Sequence, residues 1–380
     1  MQWMVPFRRL GEEQLTVLNA CAKKQTSKLW IQGFAGSGKT VILVHALRQA
    51  LADDPGCKVC VVVYTHALKE LVADGLRGDH EDIPVMTYFQ FLSERQHYDL
   101  VVLDEVQDLP QNDLSAVSRF AKRLIVAGDT DQSIYEDRVS GDDIDALLAP
   151  EKHRLTVLYR LTDKIRKIVR AVLPRSTIES ARISRMADVD VTLANAESER
   201  QEIAWVWYQA QRYADTGNPA AILIPSHRKI RRFVNAICDG EDRTQPSWER
   251  LPRGNKPDYG LVNTHLDDID LPLRYLGNNF GSLAESDERP LTYVMTYHSA
   301  KGLDFETVFL PGLKQRAFFA RDEALASRLF FVAATRSRRN LFFSYSGVMP
   351  HEYVQRMPQQ LLNKVDCEID TEEPEDDFHF

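Results

Sequence analysis

The sequence predicts an α/β protein with two lobes, each a parallel sheet covered by helices. Continuous apolar runs, among them 59–64 and 100–103, are typical of strands that are buried on both faces. Segments with helical apolar spacing, such as 41–51, alternate with these runs, and this alternation favours parallel strands with crossover helices. The second half repeats the pattern in one expected helix and three expected strands: 199–213, 220–224, 307–310 and 341–344.

Composition is that of a soluble globular protein. The chain has 380 residues, of which 44% are hydrophobic and 27% charged, and this length suggests two or three domains. No apolar stretch approaches the roughly 20 residues of a membrane span, and the first nine residues lack an apolar signal core. Five cysteines do not make a disulfide framework. We therefore expect a soluble protein of the cytoplasm.

The formal net charge of −8 comes from one end of the chain. Residues 366–380 carry eight acids and no Lys or Arg, and the remaining 47 acids equal the 47 bases. A neutral body can hold a basic groove, so the net charge does not exclude nucleic acid. We expect 366–380 to be a disordered acidic tail, with a partner-docking or self-inhibiting peptide as the alternative.

The predicted boundaries follow from these patterns. The first lobe is expected at 1–150 and the second at 151–238 and 290–365. The segment 239–289 is rich in Gly, Pro, Asn and Asp and has no sustained period, so we expect an irregular insertion in the second lobe.

Residues 33–40 read GFAGSGKT and fit the phosphate-loop pattern G-x-x-x-x-G-K-[ST]. They follow an expected strand and open an expected helix, which is the context that the pattern requires. Lys39 is expected to meet the β- and γ-phosphates and Thr40 to ligate Mg²⁺, so ATP and Mg²⁺ are the expected cofactors. The expected nucleotide-binding residues of this loop are Gly33, Gly36, Ser37, Gly38, Lys39 and Thr40.

Residues 101–105 read VVLDE, an apolar strand that ends in two carboxylates. Asp104 is expected to hold Mg²⁺ and Glu105 to polarise the attacking water, because phosphoryl transfer needs positioning and charge neutralisation. Positive charge is also needed at the transferred group. Arg160 and Arg336 are expected to supply it if the two lobes close over ATP.

These segments and several others resemble, in family order, the motifs of UvrD/Rep-like superfamily 1 DNA helicases. The resemblance runs from Phe7 to Arg339 and implies two RecA-like P-loop NTPase lobes with ATP in the cleft between them. The motifs that carry it are GEEQ at 11–14, the phosphate loop, YTHA at 64–67, TYF at 87–89, DEVQD at 104–108, GDTDQSIY at 128–135, LYR at 158–160, TYHSAKGLDF at 296–305 and LFFVAATR at 329–336.

The resemblance implies a role for individual residues. Gln14 would read adenine, Tyr159 would stack on it, and Gln132 would sense the γ-phosphate. Arg336 would be an arginine finger and Arg160 would meet phosphate. Further nucleotide contacts are implied at Gly302 and Asp304, although Asp304 is one methylene shorter than the Glu of the family. Contacts to single-stranded DNA are implied at Thr65, His66, Thr87, Tyr135, Thr296 and His298.

Departures from the family pattern predict a compact member. Full members carry a further subdomain inserted in each lobe, but about twenty residues separate His66 from Thr87 here, and the segment between Ser226 and Thr296 is short. Glu136 and Asp137 follow Ser-Ile-Tyr, where the family often has a base-stacking Trp. Stacking contributes roughly 1–3 kcal/mol per base. We therefore expect a weakened grip on DNA and poor unwinding by the chain alone.

The resemblance implies a single-stranded-DNA-dependent ATPase and translocase that moves 3′→5′. An alternative stays open: an ATP-gated nucleic-acid-sensing or regulatory subunit that acts with a partner such as a nuclease in DNA repair or phage defence. Two weaker signals are also open. The CxxC at 57–60 favours a buried strand start over a metal site. The basic cluster at 228–232 fits either a phosphate-binding patch or a solvated helix face.

Overall fold

The computed structural model of the chain has two large parallel sheets in its described part, each flanked by helices. The described residues are 4–76, 82–129, 133–135, 138–173, 177–184, 188–251, 256–317, 319–320 and 322–369. No helix within these ranges has both the length and the apolar character needed to cross a membrane.

The first sheet has, among the described residues, six strands in the order β3-β2-β4-β5-β1-β6, and every neighbouring pair is parallel. Its strands are β1 (Lys28–Gly33), β2 (Val59–Val63), β3 (Val85–Thr87), β4 (Tyr98–Leu103), β5 (Ala121–Gly128) and β6 (Glu151–Leu155). Helix α1 (Glu12–Ala22) precedes β1, and the helices between the strands are α2 (Lys39–Asp53), α3 (His66–Gly75), α4 (Tyr88–Glu94), α5 (Gln111–Arg119) and α6 (Gly141–Leu148).

The second sheet comprises seven strands within the described ranges, in the order β11-β12-β10-β13-β14-β9-β15, again all parallel. The strands of this half, including a small β7-β8 pair outside the sheet, are β7 (Val157–Leu158), β8 (Arg182–Ile183), β9 (Asp190–Ala196), β10 (Ala220–Ile224), β11 (Leu273–Tyr275), β12 (Thr292–Thr296), β13 (Phe305–Leu310), β14 (Ser337–Ser346) and β15 (Asn363–Asp366). Its helices are α7 (Asp163–Val172), α8 (Glu199–Tyr213), α9 (His227–Gly240), α10 (Tyr259–Asp268), α11 (Glu323–Ala334) and α12 (Glu352–Arg356).

The central strands are buried on both faces, as their continuous apolar runs predict. All five residues of β2 and all five of β10 are buried. Since helices cover each face of a parallel sheet, such strands need no polar side chain. Side-chain caps fix the first turns of several helices, for example at Thr65 before α3 and Thr87 before α4. The carboxyl ends of the strands in each sheet therefore form stable platforms for loops.

Two of the expected divisions of the chain differ in the structure. The first lobe does not end at 150, because β6 pairs with β1 and completes the first sheet. The segment 239–289 is not irregular throughout, because it contains α10 and the edge strand β11. Its apolar residues are spaced too sparsely to show a period, yet Tyr259, Leu266 and Leu273 are fully buried in the core.

The expected tail begins in an ordered strand. Asp366 is the last residue of β15 and pairs with Asn195 of β9, while the Cys367 side chain is buried. Backbone pairing to β9 and burial of Cys367 hold these residues even though their neighbours are acidic. Residues 370–380 lie outside the described part.

A core substitution in the second sheet tests this architecture. Ile222 lies at the centre of β10 and is fully buried. We expect Ile222→Ala to lower the free energy of unfolding by about 2–5 kcal/mol, because the lost methyl groups leave a cavity. Urea unfolding followed by Trp fluorescence measures the change, since Trp205, Trp207 and Trp248 lie in this lobe.

The control is Val348→Ala, because Val348 is 95% exposed and its change is expected to stay within about 0.5 kcal/mol. Equal stability of the two variants would contradict a central, buried β10.

Candidate active site

The phosphate loop lies between β1 and α2, as its sequence predicts. Gly38 has φ +87°, and a Cβ at this position would lie 2.3 Å from Gln14 Nε2, so only glycine fits. Lys39 begins α2, and its Nζ donates to the carbonyl oxygens of Gly33 at 2.8 Å and Phe34 at 3.1 Å. The loop thus curls around the Lys39 ammonium at the positive end of α2, an arrangement suited to phosphate.

Gln14 supports the loop from α1. Its Nε2 donates to Ser37 O at 3.0 Å, and its Oε1 accepts from Gly11 N at 3.0 Å. The side chain is buried against the phosphate loop, and these two bonds occupy one amide hydrogen and one lone pair. The adenine-reading role expected of Gln14 therefore depends on its second amide hydrogen and lone pair.

Thr40 and Asp104 form the expected metal-binding pair. The Thr40 hydroxyl donates to Asp104 Oδ2 at 2.5 Å. Burial, with the charge of Glu105 next to it, raises the pKa of Asp104 to about 6. A buried carboxylate next to a hydroxyl is a hard oxygen pair that a cation would stabilise, so these residues fit Mg²⁺. Among the described residues, no group of three or more His, Cys, Asp or Glu side chains could hold a metal, at the CxxC or elsewhere.

Glu105 is held in an uncommon conformation at the end of β4. Its φ is +54°, and its Oε2 accepts from Gln107 Nε2 at 2.5 Å. Burial would raise the pKa of this carboxyl, but the charges of Lys301 and Lys39 outweigh burial and hold the pKa below its usual range. Glu105 is therefore ionised at neutral pH, as a group that orients or deprotonates water must be.

Gln107 is a site residue to which sequence reasoning gave no role. It is fully buried, and its Oε1 accepts from Asp129 N at 3.1 Å while its Nε2 holds Glu105. A Cβ on Gly128 would lie 2.2 Å from that Oε1, so the glycine at the end of β5 makes room for the contact. The sequence contained a signal for this role: Gln107 belongs to the motif DEVQD, and its partners Gly128 and Asp129 open the next motif.

Lys301 and Asp108 join the two lobes at the site. Lys301 Nζ lies 2.6 Å from Asp108 Oδ2 and 3.8 Å from Glu105 Oε2, and both the Lys301 and Asp108 side chains are at most 1% exposed. Burial raises the pKa of Asp108 to about 7, although Lys301 opposes the rise. The pair places a cation of the second lobe beside the carboxylates of the first.

Arg160 lies where the chain passes from the first lobe to the second. Its Nη1 donates to Asp304 Oδ2 at 3.2 Å, and a Cβ on Gly36 would lie 2.7 Å from Arg160 Cβ. The neighbouring Tyr159 N donates to Gly36 O at 3.0 Å. Arg160 is thus packed on the phosphate loop and held there by Asp304. The sequence did not predict the contact between Arg160 and Asp304.

Arg336 is buried at the end of α11 and faces the same cleft. Its guanidinium donates to Val332 O at 2.8 Å, Leu303 O at 3.1 Å and Thr335 Oγ1 at 3.0 Å. Burial and the neighbouring Arg160 lower the pKa of Arg336 to about 9, so it stays charged at neutral pH. These bonds fix the direction of the guanidinium.

The cleft between the lobes has a volume of about 470 Å³, in the range of small-ligand sites. It gathers most of the nucleotide-site residues expected from the sequence. Those that line it are Gly36, Gly38, Lys39, Thr40, Glu105, Tyr159, Arg160, Gly302, Asp304 and Arg336. Gln132 lies outside the described residues, as do Glu136 and Asp137.

Three of the residues expected to contact DNA have hydroxyls that bond to the backbone. The hydroxyl oxygens of Thr65 and Thr87 accept from backbone N–H groups of Leu68 and Gln90 as helix caps. Thr296 is buried, and its Oγ1 accepts from Ser299 N at 3.1 Å. These hydroxyls have local partners because a strand-to-helix or strand-to-turn junction leaves backbone donors that need an acceptor.

Tyr135 of the first lobe and His298 of the second, both expected to contact DNA, lie close to each other. The ring centroids of Tyr135 and His298 lie 5.7 Å apart, and Tyr64 lies 4.6 Å from Tyr135. Burial, followed by the Lys301 charge, lowers the pKa of His298 to about 4. His66 begins α3, and burial lowers its pKa. Both histidines are therefore neutral at pH 7.

Two protein-family models match the chain, one on each half. Residues 9–188 match an AAA domain, and residues 278–347 match the UvrD-like helicase C-terminal domain. A probable DNA helicase of Mycoplasma pneumoniae is 27% identical over 276 residues, which cover 67% of this chain and 44% of that protein. DNA helicase II of Rickettsia typhi is 31% identical over 87 residues, which cover 20% of this chain and 13% of that protein. The chain therefore spans less than half the length of these relatives.

Two solved structures are also similar. A complex of Arterivirus nonstructural protein 10 (helicase) with DNA has a TM-score of 0.43 at 15% identity, covering 86% of this chain and 63% of that chain. The PRRSV helicase has a TM-score of 0.45 at 14% identity, covering 90% of this chain and 56% of that chain.

Two parallel-sheet lobes with a phosphate loop and a DExQD strand end define a helicase-like P-loop NTPase, an ATP-hydrolysing class of enzyme. With a family match on each lobe and DNA helicases among its relatives, the chain is similar to the UvrD-like superfamily 1 helicases. The α/β class with two RecA-like lobes, expected from the sequence, is confirmed.

The charge of Lys301 predicts a shift in the pH profile of ATP hydrolysis. Lys301 holds the pKa of Glu105 down, so Lys301→Gln is expected to raise that pKa. Because Glu105 must be ionised to act on water, hydrolysis by the variant is expected to fall at a higher pH than in the unaltered protein as pH is lowered. Hydrolysis rates between pH 5 and 9 measure the shift.

Asp108→Asn is the matched control, because it breaks the same buried pair but keeps the Lys301 charge. An upward shift of the acid limb in both variants would contradict a direct effect of Lys301 on Glu105.

Proposed function

We propose that the protein is a single-stranded-DNA-dependent ATPase that translocates 3′→5′. The observation that carries this proposal is that the segment expected to contact DNA lies next to the carboxylates of the ATP cleft. His298 lies three residues before Lys301, and Lys301 contacts both Asp108 and Glu105. A strand that moves the 296–301 segment would therefore change the charge beside Glu105, which couples nucleic acid to hydrolysis.

The hydrolysis chemistry follows from the side chains of the cleft. Lys39 binds the β- and γ-phosphates, and Thr40 and Asp104 hold Mg²⁺, which when bound neutralises phosphate charge. Glu105, oriented by Gln107, accepts a proton from the attacking water. Arg160 and Arg336 stabilise the charge that develops on the transferred phosphoryl group. Each guanidinium is already fixed by protein contacts, so little reorganisation is needed.

Aromatic side chains support a strand path along the first lobe. Tyr88 stacks on Tyr64 with centroids 5.3 Å apart, and Phe89 lies beside Tyr88 with 67% of its surface exposed. The Arg138 guanidinium carbon lies 5.6 Å from the centre of the Tyr135 ring, and its Nη2 donates to the Tyr64 hydroxyl. The exposed Phe89 ring suits a base, and the partly buried Tyr64 and Tyr135 rings lie next to a cation that suits a phosphate of a single strand.

The proposal includes weak unwinding by the chain alone. Unwinding needs an element that holds or splits the duplex. Only residues 76–84 separate α3 from β3, and the described residues of 241–291 build α10 and β11 within the second lobe. A protein partner that supplies duplex contacts is therefore part of the proposal, as is a cytoplasmic location.

The shortness of these two segments also favours a second candidate function. An ATP cleft without a duplex-holding element among the described residues fits an ATP-gated sensor or regulatory subunit that works with a partner such as a nuclease in DNA repair or phage defence. The two candidates differ in movement along the strand.

Hydrolysis with and without single-stranded DNA tests the main proposal. We expect oligo(dT) to stimulate the unaltered protein, and we expect Glu105→Gln to bind ATP yet lose at least about 10²-fold in turnover, because general-base assistance is lost. Lys39→Ala is the control that loses ATP binding itself. Equal hydrolysis with and without DNA would overturn the proposal, and full activity of Glu105→Gln would remove Glu105 from the mechanism.

Displacement of streptavidin from biotinylated oligonucleotides tests movement. A 3′→5′ translocase is expected to clear streptavidin from the 5′ end and leave it on the 3′ end, while opening only short 3′-tailed duplexes. DNA-stimulated hydrolysis without displacement at either end would favour the sensor. Processive duplex opening by the protein alone would contradict weak unwinding.

A further inference from the structure

A tight turn in the second lobe packs directly on the segment that includes His298. Gly277 and Phe280 form a bridge around Asn278 and Asn279, which have φ of +50° and +72°. Two adjacent left-handed residues give a turn that Asn and Gly tolerate well. A Cβ on Gly277 would lie 2.5 Å from Ser299 Oγ, so the turn lies in close contact with the 296–299 segment.

Asn278 holds the Lys256 side chain beside this turn. Lys256 Nζ donates to Asn278 Oδ1 at 3.1 Å, and Asn278 Nδ2 donates to the Tyr275 hydroxyl at 2.8 Å. The same Nδ2 lies 3.4 Å from His227 Nε2. The Asn278 amide thus connects an exposed ammonium group to the protein interior.

The support beneath Asn278 is rigid. The rings of Tyr259 and Tyr275 stack with centroids 3.4 Å apart, and both residues are fully buried. His227 Nδ1 lies 2.8 Å from the Tyr259 hydroxyl, and burial, with the Lys256 charge, lowers the pKa of His227 to about 4. A neutral imidazole with its Nδ1–H on Tyr259 leaves Nε2 to accept from Asn278.

The Lys256 charge also reaches the expected DNA track. It contributes, after burial and Lys301, to the lowered pKa of His298, the ring next to Tyr135. The contacts place Lys256 near this segment as well, because Lys256 bonds to Asn278 and the adjacent Gly277 packs on Ser299, next to His298. His298 is neutral, so on the side of the second lobe Lys256 adds positive charge to the one that Arg138 places beside Tyr135.

We propose that Lys256 binds a backbone phosphate of the single strand where it crosses the second lobe, and that Asn278 and His227 position its ammonium group. The proposal rests on the proposed function and adds one defined contact to it. It gives the short 239–289 segment a role in strand binding, through a preoriented cation in place of an inserted subdomain.

Salt-dependent binding of fluorescein-labelled oligo(dT) to the full chain tests this contact. Each phosphate contact to a single strand contributes about 0.7 to the slope of log affinity against log salt. We expect Lys256→Ala to lower the slope by about 0.7, which corresponds to roughly eightfold weaker binding at 50 mM salt and little change near 1 M. Lys256→Arg keeps a cation and is expected to retain the slope.

Lys24→Ala is the matched control, because Lys24 is an exposed lysine in the loop before β1, at the amino end of the strand whose carboxyl end carries the phosphate loop. ATP binding without DNA and the thermal unfolding midpoint are expected to stay unchanged in all three variants. If Lys256→Ala keeps the slope of Lys24→Ala, or if Lys256→Arg loses it, the contact is refuted while the proposed function stands. If the unaltered protein does not bind oligo(dT), both are refuted.

Discussion

The buried ion pair between Lys301 and Asp108 is the contact on which the rest of the site depends. Each charge would be costly if buried alone, so the pair is favourable only when the second lobe meets the first in one arrangement. That arrangement brings Lys301 Nζ to within 3.8 Å of Glu105 Oε2, and the Lys301 charge keeps the Glu105 carboxyl ionised. The relative position of the lobes and the protonation of the water-activating group therefore have the same cause.

A second contact between the halves, Arg160 with Asp304, has a different consequence. It holds a guanidinium against the phosphate loop from the junction of the lobes, while Arg336 reaches the cleft from the second lobe. Both cations are fixed by protein partners, so the cleft has a directed positive field before nucleotide enters. Movement of one lobe against the other would change that field at the phosphates.

Local capping gives several motif hydroxyls a partner in the protein backbone. The Thr65, Thr87 and Thr296 hydroxyls accept from backbone donors at the junctions that follow β2, β3 and β12. Motif residues of this kind fix loop geometry, while side chains beside them make other contacts: Phe89 is exposed and His298 lies next to Tyr135. A short motif therefore mixes positioning residues with contact residues, and only the contacts of each hydroxyl separate the two.

The sequence by itself determined the α/β class, the phosphate loop and the Thr40–Asp104–Glu105 set, because apolar periodicity and glycine spacing are local properties of the chain. The tertiary structure alone decided that β6 completes the first sheet and that β11 lies at the edge of the second. It also decided the partners of Gln107, Asp304 and Lys256. A hydrogen bond or ion pair between residues far apart in sequence depends on packing and burial, which no local pattern records.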